Sequence, residues 1–170
     1  MKLLKYNGAQ SIIQCLEKEG ISYVYGVPGE QILALVDAIY DAPSVQFIST
    51  RHESGAAFMA EAHGKITGQP AVCIATAGVG ASNLTLGIHT AHQDSTPMIA
   101  IIGQVNSRYR GREAWQEIDL AEFFSPMTKW TAEVKDVSRL PEIMHQAIYL
   151  AKTGRPGPVV LSIPEDVLTA

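Results

Sequence analysis

The stretch "VQFISTRHESGAAFMAEAHGKITGQPAVCIATAGVGASN", Val45 to Asn83, decides the fold. "VQFIS" (45–49) is a short apolar run that reads as a buried strand. "ESGAAFMAEAHGKITG" (53–68) has the spacing of a helix, closed by Gly68. "AVCIA" (71–75) is again a buried strand, and "GASNLTLGIHTAHQD" (80–94) a second helix. Near-continuous apolar strands alternating with helices demand a mostly parallel sheet with helices on both faces.

The alternation extends in both directions. Before it stand a helix "AQSIIQCLEKEG" (9–20), a strand "YVYGV" (23–27) and a helix "EQILALVDAIY" (30–40). After it come a strand "MIAIIG" (98–103), a half-exposed strand "KWTAEV" (129–134), a helix "LPEIMHQAIYLAKTG" (140–154) and a last strand "PVVLSI" (158–163). The expected fold is a three-layer α/β domain with right-handed crossovers, spanning residues 1–170 without internal repeats. One segment breaks the rhythm: "QVNSRYRGREAWQEIDLAEFFSPMT", Gln104 to Thr128, is a long polar and aromatic connection, of the kind that is usually functional.

With 170 residues the chain is long enough for one real core. Hydrophobic residues at 46%, charged residues at 18% and a net charge of -4 argue against disorder and against a nucleic-acid partner. The start "MKLLKYNGAQ" lacks an apolar signal core and no apolar run is long enough for a bilayer, so the expectation is a cytoplasmic protein without a membrane partner. Cys15 and Cys73 make neither a metal spacing nor a disulfide framework and read as small buried hydrophobes.

Several chemistries can be weighed on residues alone. "ATAGVGASN" follows a strand and opens a helix, so Gly78 and Gly80 would let a backbone approach a ligand, but Asn83 stands where a dinucleotide fingerprint needs its third glycine. His89, His92 and Asp94 share a helix end without the further ligands a zinc site requires. His63 and His145 read as ordinary helix residues, and Ser11, Ser54 and Ser82 lack a nucleophile elbow. "SRYRGRE" (107–113) is an anion patch or, more simply, a solvated loop. Glu53 sits where strand hands over to helix. It can cap the first turn, or it can be an acid at the strand ends, where open α/β sheets bind ligands.

Six ordered motifs bear on that choice: "YGVPGE", "RHESGAAFMAEAHGK", "ATAGVGASNLTLGI", "DSTPMIAIIGQV", "REAWQEIDL" and "RPGPVVLSIPEDV". Their order and spacing, from about Tyr6 to Val167, resemble the N-terminal pyrimidine-binding (PYR) domain of thiamine diphosphate enzymes, above all acetolactate synthase and its pyruvate oxidase-like relatives. The resemblance implies that Glu53 contacts N1′ of the cofactor's aminopyrimidine and shares a proton with it. It implies further that Pro28 and Gly29 pack near that ring, that Thr76, Gly80 and Asn83 line the same cleft, and that Gln116 reaches toward the substrate. Ala77 and Val79 replace the commoner Ser and Pro, and Trp115 the commoner Phe.

Only His52 stands beside the acid, without the adjacent His pair of simple 2-keto acid decarboxylases, which favours carboligation of a small 2-keto acid over plain decarboxylation. The family's G-D-G and Asn motif, which holds Mg²⁺ and the diphosphate, is not in this sequence. The chain is therefore expected to need a pyrophosphate-binding domain or subunit, in a homodimer or tetramer serving branched-chain amino acid biosynthesis, and the resemblance allows FAD in the complete enzyme. The alternatives are a separate PYR subunit of a two-subunit decarboxylase, or a non-catalytic binding module, against which Glu53 argues. No metal ligand is expected in the chain itself.

Overall fold

The computed structural model describes residues 6–170. The first helix, α1 (Gly8–Lys18), is fixed at its start by a capping box: the Asn7 carboxamide accepts from the Gln10 amide at 2.8 Å, and the Gln10 side chain accepts from the Asn7 amide at 3.1 Å. Strand β1 (Tyr23–Gly26) follows. A 3₁₀ turn over Glu30–Ile32 leads into α2 (Leu33–Tyr40), because Gly29 offers no capping side chain and the Ile32 amide bonds back to the Gly29 carbonyl. Then come β2 (Gln46–Ser49) and α3 (Glu53–Thr67), which ends on Gly68 in the left-handed conformation, φ 69°.

Strand β3 (Ala71–Ala75) is buried along its whole length. The helix expected over 80–94 is two helices, α4 (Val79–Asn83) and α5 (Thr85–Asp94). The break has a local cause. The Leu84 amide bonds to the Ala81 carbonyl, three residues back, and the Thr85 hydroxyl takes the Ser82 carbonyl at 2.6 Å, so the ladder tightens there. Beyond β4 (Met98–Gln104), the long connection carries a short helix, α6 (Leu120–Phe124), capped by Asp119. The chain closes with β5 (Trp130–Glu133), α7 (Leu140–Lys152), β6 (Pro158–Pro164) and a short helix unforeseen from the sequence, α8 (Glu165–Thr169).

All six strands are parallel, in the order β2-β1-β3-β4-β6-β5. The expected three-layer architecture is therefore present, with two corrections of detail. Strand β2 lies at one edge and is half-exposed rather than buried, since a short apolar run cannot distinguish an edge from a centre. Cys15 is only half-buried at the margin of the core, whereas Cys73 is wholly buried and its thiol is pushed well up by that burial.

Alternation along the strands divides the core into two slabs. Val72, Ile74, Ile99, Ile101, Val159 and Leu161 face α1, α2 and α7. Ala71, Cys73, Ala75 and Ala100 face the other way, toward α3, α5 and α6. On this second side the helices carry small residues too, Ala56, Ala57 and Ala60 on α3 and Gly87 on α5. Close approach follows: a Cβ at Gly87 would lie 2.7 Å from the Ala57 carbonyl carbon, and one at Gly64 would lie 2.2 Å from the Pro97 carbonyl oxygen. Among the described residues, no helix is long and apolar enough to cross a membrane.

Candidate functional site

From β1 the chain runs through α2 to β2 on one side, and from β3 it runs through α4 and α5 to β4 on the other. The adjoining ends of β1 and β3 thus form a switch point, where the two outgoing loops diverge and leave a crevice. Those loops are Val27 to Gly29 and Thr76 to Gly78, and they touch. A Cβ at Gly29 would meet the Thr76 Cβ at 2.7 Å. The loop after β2 is drawn to the same place by the Thr50 amide, which donates to the Gly26 carbonyl at 2.8 Å.

That hook delivers the start of α3. His52 is its N-cap, its Nδ1 accepting from the Ser54 amide at 3.2 Å and lying 2.7 Å from the Ser54 hydroxyl. Glu53 is consequently the first helical residue and not the cap. Its half-buried carboxylate still lies in the first turn, where the helix dipole favours negative charge, but its partner comes from elsewhere. Asn83, at the end of α4, donates from Nδ2 to Glu53 Oε2 at 2.9 Å. Among the described residues, Oε1 carries no hydrogen bond.

Glycine shapes the space beside that oxygen. A Cβ at Gly80 would stand 3.4 Å from Glu53 Oε1 and 2.8 Å from Thr76 Cγ2, so only glycine keeps this wall open. Thr76 is itself held by a hydrogen bond from its hydroxyl to the side chain of Gln31, a buried residue that the sequence reading missed. Nothing in "EQILALV" marks it, because its burial, and with it the need for a partner, comes only with the fold. Gly78 enters α4 with φ 57° and ψ −111°, and a Cβ there would lie 2.8 Å from both the Cβ and the carbonyl oxygen of Gln116.

The structure therefore brings Glu53, Asn83, Gly80, Thr76 and Gly29 into one cradle, with Gln116 seated against its Gly78 rim. Pro28 lies next to Gly29 but is exposed, at the mouth rather than the wall. Of the replaced positions, Ala77 is fully buried while Val79 and Trp115 are 65% and 82% exposed, so the last two face outward at the rim. The cradle thus combines a carboxylate anchored through one oxygen with glycines packed closely against Thr76 beside it.

The competing sites fare differently. Asp94 is spent on Lys65, 2.6 Å away, which also pairs with the buried Glu61 at 2.8 Å. The hydrogen bond that Lys65 donates to Asp94, then that to Glu61, pushes its ammonium up to about 12. Among the described residues, no three His, Cys, Asp or Glu side chains gather as a metal site would require. The arginine segment is not simply a solvated loop. Arg110 is partly buried and bridges Glu117 and Glu133, each at 2.7 Å, while Arg108 lies over the Tyr109 ring at 4.7 Å.

Comparison with known proteins bears directly on this geometry. A family model described as thiamine pyrophosphate enzyme, N-terminal TPP binding domain, matches residues 6–123. A probable acetolactate synthase large subunit of Methanocaldococcus jannaschii is 44% identical over 160 residues, covering 94% of this chain and 27% of that protein. The large subunit of acetolactate synthase isozyme 1 of Escherichia coli is 42% identical over 166 residues, covering 98% of this chain and 30% of its own length. Acetolactate synthase of Bacillus subtilis is 40% identical over 166 residues, 98% of this chain and 29% of that protein. The chain spans less than a third of the length of these relatives.

Proposed function

The chain belongs to the thiamine pyrophosphate enzymes, through their N-terminal TPP binding domain, and on that premise we propose that residues 1–170 form the pyrimidine-binding half-site of an acetolactate synthase-like enzyme. The observation that carries this reading is the Glu53 carboxylate, fixed through Oε2 by Asn83 and, among the described residues, without a hydrogen bond at Oε1, which lies beside Gly80.

When bound, thiamine diphosphate supplies the thiazolium carbon that adds to the carbonyl of a 2-keto acid. What this chain contributes is a proton held at one place. Glu53 Oε1 shares a proton with N1′ of the aminopyrimidine, the ring nitrogen whose protonation tunes the cofactor's own amino group as a base. Asn83 keeps the carboxylate from swinging back toward its own helix. Thr76, pinned by Gln31, and the two glycines set the width of the slot, with Pro28 at its mouth. Gln116, on the opposite rim, hydrogen-bonds the incoming 2-keto acid, and exposed Trp115 beside it narrows the approach.

The half-site is completed by a pyrophosphate-binding domain or subunit, which supplies the Mg²⁺ and diphosphate contacts; FAD, where the complete enzyme uses it, is likewise placed outside this chain. The reading assigns decarboxylation of pyruvate followed by carboligation, transferase rather than simple lyase chemistry, in the cytoplasm and toward branched-chain amino acids. A homodimer or tetramer is part of it. Phe58 and Met59 on α3, the helix that Glu53 begins, and Leu86 on α5 are 42%, 47% and 63% exposed, apolar outer side chains that suit a second subunit.

The test is product analysis with the complete enzyme, pyruvate, Mg²⁺ and thiamine diphosphate. Acetolactate formed only when both additions are present is the expected result. Acetaldehyde without acetolactate would overturn the carboligase reading.

A further inference from the structure

We propose that Glu117 and Arg110 are positioning residues for Gln116: with Glu133 they clamp the loop between β4 and α6 in the one shape that seats Gln116 on Gly78. The proposal rests on the reading that Gln116 meets the substrate.

Nothing regular holds this loop between the 3₁₀ turn at Ser107–Tyr109 and α6. Its path is strained as well. Glu113 and Gln116 take positive φ of 54° and 66°, and Gly111 takes 75°. Non-glycine residues persist in that region only where their surroundings over-determine them. The neighbour of Gln116 supplies that constraint. Glu117 Oε1 accepts from the Gly111 amide at 2.6 Å and from Arg110 Nη1 at 2.7 Å, and Oε2 accepts from the Ala114 amide at 3.2 Å. The Glu117 amide closes the turn by donating to the Ala114 carbonyl at 2.9 Å. One carboxylate thus ties residues 110, 111 and 114 to residue 117.

Arg110 then fastens this knot to the sheet. Its Nη2 donates to Glu133 Oε2 at 2.7 Å, and Glu133 lies on β5, paired with Ser162 of β6. All three side chains are largely withdrawn from solvent, with 22%, 10% and 16% of Arg110, Glu117 and Glu133 exposed, so these charge-assisted bonds are screened far less than surface pairs. Both terminal nitrogens of the guanidinium thus donate to carboxylates, while its buried Nε has no partner among the described residues. The Gly111 amide foremost, with the Ala114 amide and Arg110, holds the Glu117 carboxyl below the usual range, as a preformed acceptor would be.

At Gly78 the consequence becomes functional. The Gln116 carbonyl and Cβ would sit 2.8 Å from a Cβ there, so the loop has a single seat and little tolerance around it. A loosened clamp lifts Gln116 off the rim without touching Glu53, Asn83 or the cradle.

The experiment pairs peptide-resolved hydrogen exchange over residues 108–118 with steady-state kinetics in the complete enzyme, for Glu117→Gln, Glu133→Gln and Gln116→Ala. Glu117→Gln replaces one acceptor oxygen by a donor that opposes the loop amides. Exchange there is expected to rise about 10- to 100-fold, the scale of a lost charge-assisted hydrogen bond. KM for pyruvate is expected to rise while KM for thiamine diphosphate stays put. Glu133→Gln leaves the loop's own bonds and should show the same pattern more weakly, which keeps the proposal testable if Glu117→Gln folds poorly. Unchanged exchange in both variants would overturn the clamp. Faster exchange with unaltered pyruvate kinetics, where Gln116→Ala does alter them, would overturn the positioning role. Unaltered kinetics in Gln116→Ala itself would instead sink the assignment of Gln116 to substrate, and the exchange data would still decide the clamp.

Discussion

The two helical layers of this domain are built by opposite rules. On one face of the sheet, α1, α2 and α7 pack through large branched side chains such as Ile12, Leu16, Leu35 and Ile148, all 1% exposed or less. On the other, α3 and α5 pack mainly through alanine and glycine, with Ile88 the large side chain that α5 buries, while Phe58, Met59, Ile66 and Leu86 point outward. The first layer stabilises by volume and the second by proximity. Proximity is what the site needs, because Glu53 starts α3, Asn83 ends α4 just ahead of α5, and their hydrogen bond spans those two elements.

The sharpest way to break this contrast is to shrink the first layer. Ile12→Ala removes a fully buried side chain from α1 and should cost about 2–5 kcal/mol in chemical denaturation, a transfer loss plus a cavity. Enlarging the second layer should hurt next most. Gly87→Ala gains about 1 kcal/mol of helix propensity, yet its Cβ would stand 2.5 Å from the Ala57 Cβ and 2.9 Å from the Phe58 amide nitrogen. Backbone cannot yield as a side-chain tip does, so a net loss of about 1–3 kcal/mol is expected. A stabilised Gly87→Ala would show the layer to be looser than described. The smallest effect belongs to the outer face. Met59→Ser should leave thermal unfolding within about 0.5 kcal/mol while weakening subunit association in sedimentation; a large loss of stability would mean that this face is core rather than contact.

Much of this was legible in the sequence, for identifiable reasons. "AVCIA", "MIAIIG" and "PVVLSI" are central strands buried on both faces, and continuous apolar runs betray that situation directly. The edge position of β2 was not legible, because an apolar run says nothing of how many neighbours a strand has. The break at Leu84 depends on a hydroxyl turning back to a carbonyl, which no periodicity records. At the site, Glu53 was placed by motif and strand-end position. Gln31 was not, since its partner Thr76 is 45 residues away. Arg110 looked like a solvated charge for the same reason: one of its two carboxylates, Glu133, lies 23 residues on, in a strand.

The proton held by Glu53 is best tested by Glu53→Gln in the complete enzyme, reading exchange of the thiazolium carbon's proton by NMR alongside thermal unfolding. Gln keeps an oxygen for Asn83 and so should keep the fold, but it cannot share an acid proton with N1′. Exchange and turnover should fall by about 10²–10⁴-fold with stability little changed. A normal exchange rate would contradict this and leave Glu53 as a structural group whose charge complements the start of α3.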